Sequence, residues 1–295
     1  MYIYFFNASV MSRIPESELI LTKDGSVYHL NLKPKHIADT VIAVGDPSRV
    51  YTISQHFDKI EFEMNKREFI THVGKYKGKR ITVISTGMGT DNIEIFMTEL
   101  DALVNIDFKT REVKKEKKKL NIVRIGTSGA IQEDIPIGSF IASEYGVGLD
   151  TLNYFYNFRQ TPKELEIARD VKKSTGLGFT PYVSKCSPKL MKQIGYDMIK
   201  GNTVTSPGFY APQARKIRLP LRQPNLLRDL TQFHKGDFWL TNFEMETAAY
   251  YALAKLMGHE MLSLNAIIAN RSKEEFSKNY AKVIDELIKI TLDRI

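Results

Sequence analysis

The chain has 295 residues, 43% hydrophobic and 26% charged, a composition able to bury a large α/β core. Its single cysteine, Cys186, excludes an internal disulfide and a multi-cysteine metal site, suits a reducing compartment and reads as structural. No run approaches the roughly 18 apolar residues of a membrane helix. Of the net charge of +8, residues Lys109–Lys119 carry +5 (seven basic, two acidic), so the global charge is weak support for nucleic-acid binding.

The N-terminus, MYIYFFNASV, is apolar but short and lacks the basic flank of a signal peptide. Met11 opens a more typical start. Residues 1–20 are expected to form an extension, with the first ten disordered or preceding the true start, and residues 21–295 a single domain. Tyr28, His29 and Leu30 read as a loop or short arm. VIAVG (41–45) is a buried-type strand, after which Pro47 ends the ladder and Ser48 is expected to cap a helix begun by Arg49, Val50 and Ile53. Strand, glycine turn and helix N-terminus form an anion-site geometry, with Arg49 in the first helical turn. Residues 60–76 read as a hairpin carrying Arg67.

ITVIST (81–86) is a second buried strand followed by a Gly-rich turn, with Asp91 or Asn92 expected to cap the next helix. There Ile93, Phe96, Met97, Leu100, Leu103 and Val104 recur at helical spacing. Glu99 lies near that apolar stripe without an evident role. The basic block at 109–119 is expected to be a solvated loop or helix extension; an acidic-partner or RNA patch is the sharper alternative. In NIVRIGTSGA (121–130), Ile122, Val123 and Ile125 make a core strand that Gly126 and Gly129 are expected to close as a tight turn. Arg124 in its middle demands a fixed anionic partner, protein or ligand. Thr127 and Ser128 offer hydroxyls and amides suited to oxyanions.

Residues 138–150 are strand-like, and 162–173 helical with Leu165, Ala168 and Val171 inward. Residues 179–184 read as a strand, 188–199 as a helix and 201–205 as a strand. The loop SPGFYAPQAR (206–215) offers in Phe209, Gln213 and Arg215 an apolar face, an amide and a guanidinium, as a planar heterocycle requires. Residues 216–240 read as irregular. In NFEMET (242–247) two carboxylates flank Met245 at the start of an alanine-rich helix ending at Gly258, either as dipole partners or as a diol holder. Residues 262–269 form a last buried strand and 280–295 a closing amphipathic helix.

In order, VYHLNL, VIAVGDPSRV, KREF, ISTGMGT, IVRIGTSGAIQ, GFYAPQAR, NFEMET and IIANR resemble the uridine phosphorylase branch of the nucleoside phosphorylase superfamily, from about Val27 to the C-terminus. The resemblance implies a mixed central sheet, partly barrel-like and flanked by helices, and phosphorolysis of uridine to uracil and α-ribose 1-phosphate with inversion. It implies phosphate binding by Gly45, Arg49, Arg67, Arg124 and Thr127, with Arg67 supplied by a neighbouring subunit. Ribose falls to His29 across the same interface, Thr127, Met245 and Glu246; the base falls to Phe209, Gln213 and Arg215. Arg124, Arg215 and Glu246 carry the catalytic roles, with inorganic phosphate as co-substrate.

A cytoplasmic homo-oligomer follows, at least a dimer and on the family's larger pattern a hexamer. Purine-cleaving relatives place an aspartate where this chain has Asn270, which favours uridine; a purine nucleoside phosphorylase is the alternative within the family. Some relatives hold a monovalent cation near the residues matching Glu68, Met88 and Asn92, but Asn92 replaces the usual serine and leaves that point open. A non-catalytic polyanion-binding protein of the same fold is the alternative of another class.

Overall fold

The computed structural model describes residues 13–295; the expectation about residues 1–10 and Met11 falls outside them. The first half of the chain runs β1 (Thr40–Val44), α1 (Pro47–Ser54), β2 (Lys59–Lys66), β3 (Phe69–Tyr76), β4 (Lys79–Ser85), α2 (Thr90–Asn105), β5 (Ile106–Asp107), β6 (Glu112–Val113) and β7 (Asn121–Ala130). The second runs β8 (Phe140–Gly148), α3 (Pro162–Thr175), β9 (Tyr182–Lys185), α4 (Pro188–Ile194), β10 (Ile199–Thr205), α5 (Leu226–Thr231), β11 (His234–Lys235), β12 (Phe238–Trp239), β13 (Asn242–Glu244), α6 (Thr247–Met257), β14 (Glu260–Asn270), β15 (Glu275–Phe276) and α7 (Tyr280–Arg294).

One mixed sheet of eleven strands organises these elements. Strand β1 lies between β4 and β7 and parallel to both, and the β2–β3 hairpin extends that side. On the other side the ladder runs β7, β14, β8, β10, β13 and returns to β7, a five-strand closure whose β13–β7 seam is only two residues long. The expected single α/β domain with a partly barrel-like sheet is therefore present. Its parallel strands are buried on both faces: Val41 to Val44, Ile122, Val123, Ile125, Leu262 and Leu264 are all fully enclosed. Among the described residues no helix is long and apolar enough to cross a membrane.

Several local expectations need correction. Asp46, not Ser48, caps α1, its carboxylate accepting from the Ser48 amide at 2.9 Å; Pro47 takes the first helical position, where no N–H is needed. Helix α2 starts from Gly89 without a side-chain cap, so neither Asp91 nor Asn92 caps it. On α3, Leu165 is 43% exposed while Ile167 and the stem of Glu164 turn inward with Ala168 and Val171. Glu164 sits there because it closes a capping box with Thr161 and binds Lys255. Helix α4 stops at Gly195 and Ile199 already belongs to β10. The 216–240 segment is irregular only as far as Asn225; beyond it lie α5 and the β11–β12 hairpin.

The basic block forms the second strand of the small β5–β6 hairpin and then a solvated loop, not a helix extension. Three of its cations have local work. The Arg111 guanidinium binds the carbonyls of Ile14, Pro15 and Leu19, Lys114 binds the Val104 carbonyl, and Lys118 pairs with Asp39.

Candidate active site

The turns after β1 and β4 meet at the end of the parallel sheet, where a Cβ on Gly45 would lie 3.2 Å from the Gly87 carbonyl oxygen. Strand β7 passes beside them without turning. Gly126 and Gly129 lie inside the strand, contrary to the expectation of a closing turn. The reason is steric: a Cβ on Gly126 would stand 2.0 Å from Nη1 of Arg124, and one on Gly129 would stand 3.4 Å from Cγ of Arg271. Gly126 makes room for the Arg124 side chain, which folds back along the strand, while Gly129 only brings β7 into ordinary contact with Arg271.

Arg124, 5% exposed, has the anionic partner its position demands. Nη2 lies 2.5 Å from Oε2 of Glu246 and 3.1 Å from Oε2 of Glu244, while Nη1 donates to Oδ1 of Asn265 at 2.9 Å. Burial opposes its charge, but Glu244 and Glu246 outweigh burial and hold it above the usual arginine range. Glu244 is fixed in turn: Oε1 accepts from Thr205 at 2.6 Å, and both oxygens accept from the first amides of α6. Oε1 of Glu246 accepts from the Gly89 amide at 2.9 Å, joining the α6 and α2 N-termini. Burial raises the Glu246 carboxyl above the ordinary range, with Arg124 opposing the rise and Glu244 adding to it.

Arg49 contrasts with Arg124. It is buried, its Nη1 donates to the Ile125 carbonyl at 3.0 Å, and it has no salt-bridge partner among the described residues. Burial pulls its pKa down to about 10, with Asp46 opposing and Arg124 reinforcing the fall. Thr127, half-buried, and Met245, half-buried between the two glutamates, complete this end.

The base-side candidates form a second cluster. Arg215 Nη1 donates to Oε1 of Gln213 at 2.6 Å and to the Phe209 carbonyl at 2.7 Å, and its guanidinium lies 3.7 Å over the Phe209 ring. Gln213 is 3% exposed, while Phe209 is half exposed. Arg271 donates to the Gln213 carbonyl at 3.0 Å and packs against Gly129, tying this loop to the end of β7. Burial and the nearby Arg271 bring the Arg215 pKa down to about 10.

His29 and Arg67 form a third group through Tyr28. Arg67 occupies the exposed β2–β3 turn at φ 53°, its guanidinium 5.8 Å from the Tyr28 ring centroid, and Tyr28 meets the His29 ring edge-on at 4.9 Å. Among the described residues neither bonds to Arg49, Arg124 or Glu246. Glu68, Met88 and Asn92 gather at the Gly87 turn, where the Met88 carbonyl accepts from Asn92 Nδ2 at 3.3 Å.

Three residues with clear structural work carry little signal in the sequence. Glu244 shows there as one of two carboxylates but not as the partner of Arg124. Glu99 shows only as a polar residue near an apolar stripe, and Arg271 only as the residue after Asn270. A lone charge beside a helix stripe, or a charge following a strand, carries no partner information in one dimension.

The phosphorylase superfamily model matches residues 39–295. Uridine phosphorylase from Thermococcus kodakarensis is 31% identical over 288 residues, which is 95% of this chain and 92% of that protein. A DeoD-type purine nucleoside phosphorylase from Bacillus thuringiensis is 27% identical over 272 residues, 90% of this chain and 97% of the relative. Among solved structures, a Trypanosoma brucei nucleoside phosphorylase described as showing uridine phosphorylase activity superposes with a TM-score of 0.86 and 30% identity, covering 94% of this chain and 98% of its own. The chain belongs to the phosphorylase superfamily.

Proposed function

We propose that the protein catalyses phosphorolysis of uridine to uracil and α-ribose 1-phosphate. The observation that carries the reading is Arg49: a buried guanidinium with a carbonyl as its hydrogen-bond partner, beside an Arg124 already paired with carboxylates. A buried cation without a counter-charge is costly, and a bound phosphate dianion relieves that cost. Gly45, Thr127 and Arg67 complete the phosphate set, and Glu246 accepts from the ribose 2′- and 3′-hydroxyls over Met245.

A phosphate oxygen then bonds to C1′ as the C1′–N1 bond breaks. The bonding pair leaves on the uracil ring, where Arg215 and Gln213 stabilise the charge, and the proton of the attacking hydrogen phosphate, relayed through water, restores neutral uracil. Arg124, Arg215 and Glu246 are the catalytic residues of this scheme. Similarity to the uridine phosphorylases at 30–31% identity, above the purine-cleaving relative at 27%, favours uridine. So does Asn270: its side chain donates to the carbonyls of Gln132 and Ile135 and accepts from the amides of Ser272 and Lys273, so it is engaged in closing its loop. No carboxyl stands there to protonate a departing purine.

His29 and Arg67 cluster with each other through Tyr28 and bond to none of Arg49, Arg124 and Glu246, which suits donation to a neighbouring copy. A dimer is then the smallest complete enzyme, and a hexamer of three dimers its larger form. The single buried cysteine suits a cytoplasmic setting. Ultraviolet-monitored cleavage of uridine and inosine, each with and without phosphate, tests the reading. Uridine cleavage that requires phosphate supports it, inosine cleavage alone reassigns the base pocket, and cleavage without phosphate makes the protein a hydrolase.

A further inference from the structure

We infer that Glu99 is a positioning residue that sets the tautomer of His29 and aims its second ring nitrogen at the nucleoside. The inference rests on the reading of His29 as the residue that meets the ribose 5′-hydroxyl. Glu99 projects from the third turn of α2, and its carboxylate takes three groups of the 28–30 arm. Nδ1 of His29 lies 2.7 Å from Oε1; the His29 amide donates at 2.9 Å to Oε1, and the Leu30 amide at 2.8 Å to Oε2. The side chain of Glu99 is 12% exposed and that of His29 30%.

An ionised carboxylate only accepts, so Nδ1 must carry the ring proton. In the neutral ring Nε2 is then an acceptor, able to take a hydrogen bond from a sugar hydroxyl but unable to offer one. Flanking anchors fix the ring's direction: Val27, Leu30 and Leu32 are fully buried, and the Tyr28 ring packs edge-on against the imidazole. Two backbone bonds alone would make Glu99 a tether for the arm. The third bond, to Nδ1 of the ring, adds a chemical function because it leaves Nε2 as the free ring nitrogen. The same helix starts at Thr90, about 14 Å from Glu99 at 1.5 Å per residue, beside the Gly89 amide that holds Glu246. One rigid element therefore orients groups for two sites, its own and the one its arm serves.

Two readouts separate positioning from tethering. The first is the ¹⁵N NMR spectrum of histidine-labelled full-length protein at pH 8. The His29 proton is expected on Nδ1 in the parent and to move towards Nε2 in Glu99→Gln, whose amide oxygen still accepts from the backbone. The second is the kcat/KM ratio for uridine over 5′-deoxyuridine. It is expected to fall about 5- to 10-fold in His29→Ala, the worth of one hydrogen bond, to fall comparably in Glu99→Gln, and to fall no further in the double variant.

A Glu99→Gln protein with a lowered Tm but an unchanged ratio and tautomer would overturn the inference and leave a structural tether. An unchanged ratio in His29→Ala would instead overturn the ribose role of His29. The NMR result would then still decide whether Glu99 sets the tautomer.

Discussion

Arg124 and Arg215 are both arginines of the candidate site, yet the protein holds them by opposite means. Arg124 lies within a core strand, with its charge balanced by Glu244 and Glu246 and a glycine cleared beneath its guanidinium. Arg215 lies on a loop and is held by an amide oxygen, a carbonyl and the Phe209 ring, all neutral, with Arg271 as a second cation nearby. At the strand end Arg124 is preorganised and its charge balanced, while Arg49 beside it has no salt-bridge partner among the described residues. The loop end keeps uncompensated positive charge where, in the proposed reaction, the base departs with negative charge. Binding rigidity and leaving-group stabilisation are thus assigned to different parts of the fold.

Substitutions and one labelling experiment test that contrast, in descending order of effect. Arg124→Ala is expected to abolish turnover nearly completely and to cost about 3–5 kcal/mol of stability, because two carboxylates stay buried without their cation. Initial rates against phosphate, together with a denaturant midpoint, check both, and near-normal phosphate dependence would refute the anion-site assignment. Gly126→Ala drives a methyl against the Arg124 guanidinium and is expected to lower kcat about 10²-fold by displacing it. Gly129→Ala, where the new atom meets Arg271 Cγ at 3.4 Å, should be mild, and equal losses at both glycines would contradict the steric account.

Arg49→Ala is expected to raise the phosphate KM about 10- to 100-fold, as loss of a charge-assisted bond does, with little change in uridine KM. Arg215→Ala should do the reverse, lowering uridine kcat/KM about tenfold at constant phosphate KM. If both changed the same parameter, the two ends would not be separate devices. The smallest effect concerns Cys186, whose thiol burial pushes up to about 12. Native protein should resist iodoacetamide at pH 8, where the thiolate is absent, and react once unfolded.

Much of the architecture is legible in the order of the residues. Buried strands announce themselves as apolar runs, α2 by its helical spacing and α6 by its alanines and the Gly258 stop, because burial imposes composition locally. The demand that Arg124 have an anionic partner is also legible, since desolvation of a guanidinium is costly anywhere in a core.

The identity of partners is not legible in the same way. Gly126 signals a turn in sequence, and only the returning Arg124 side chain explains it as clearance within a strand. Leu165 satisfies a helical pattern as well as Ile167 does, and only packing against β9 and α5 decides which face turns inward. Glu99 is one polar residue on a long helix until residues 70 positions earlier in the chain come to lie on it.

Residue types and their order therefore establish which segments must be buried, where a charge inside the core needs an opposite charge, and which family's motif order the chain follows. Folding in three dimensions selects the carboxylates that balance Arg124, leaves Arg49 with its charge uncompensated, and sets Glu99 on His29. Burial is a property of single residues and leaves a local trace. Pairing depends on distances between segments far apart in the chain, and only the closed sheet brings those segments together.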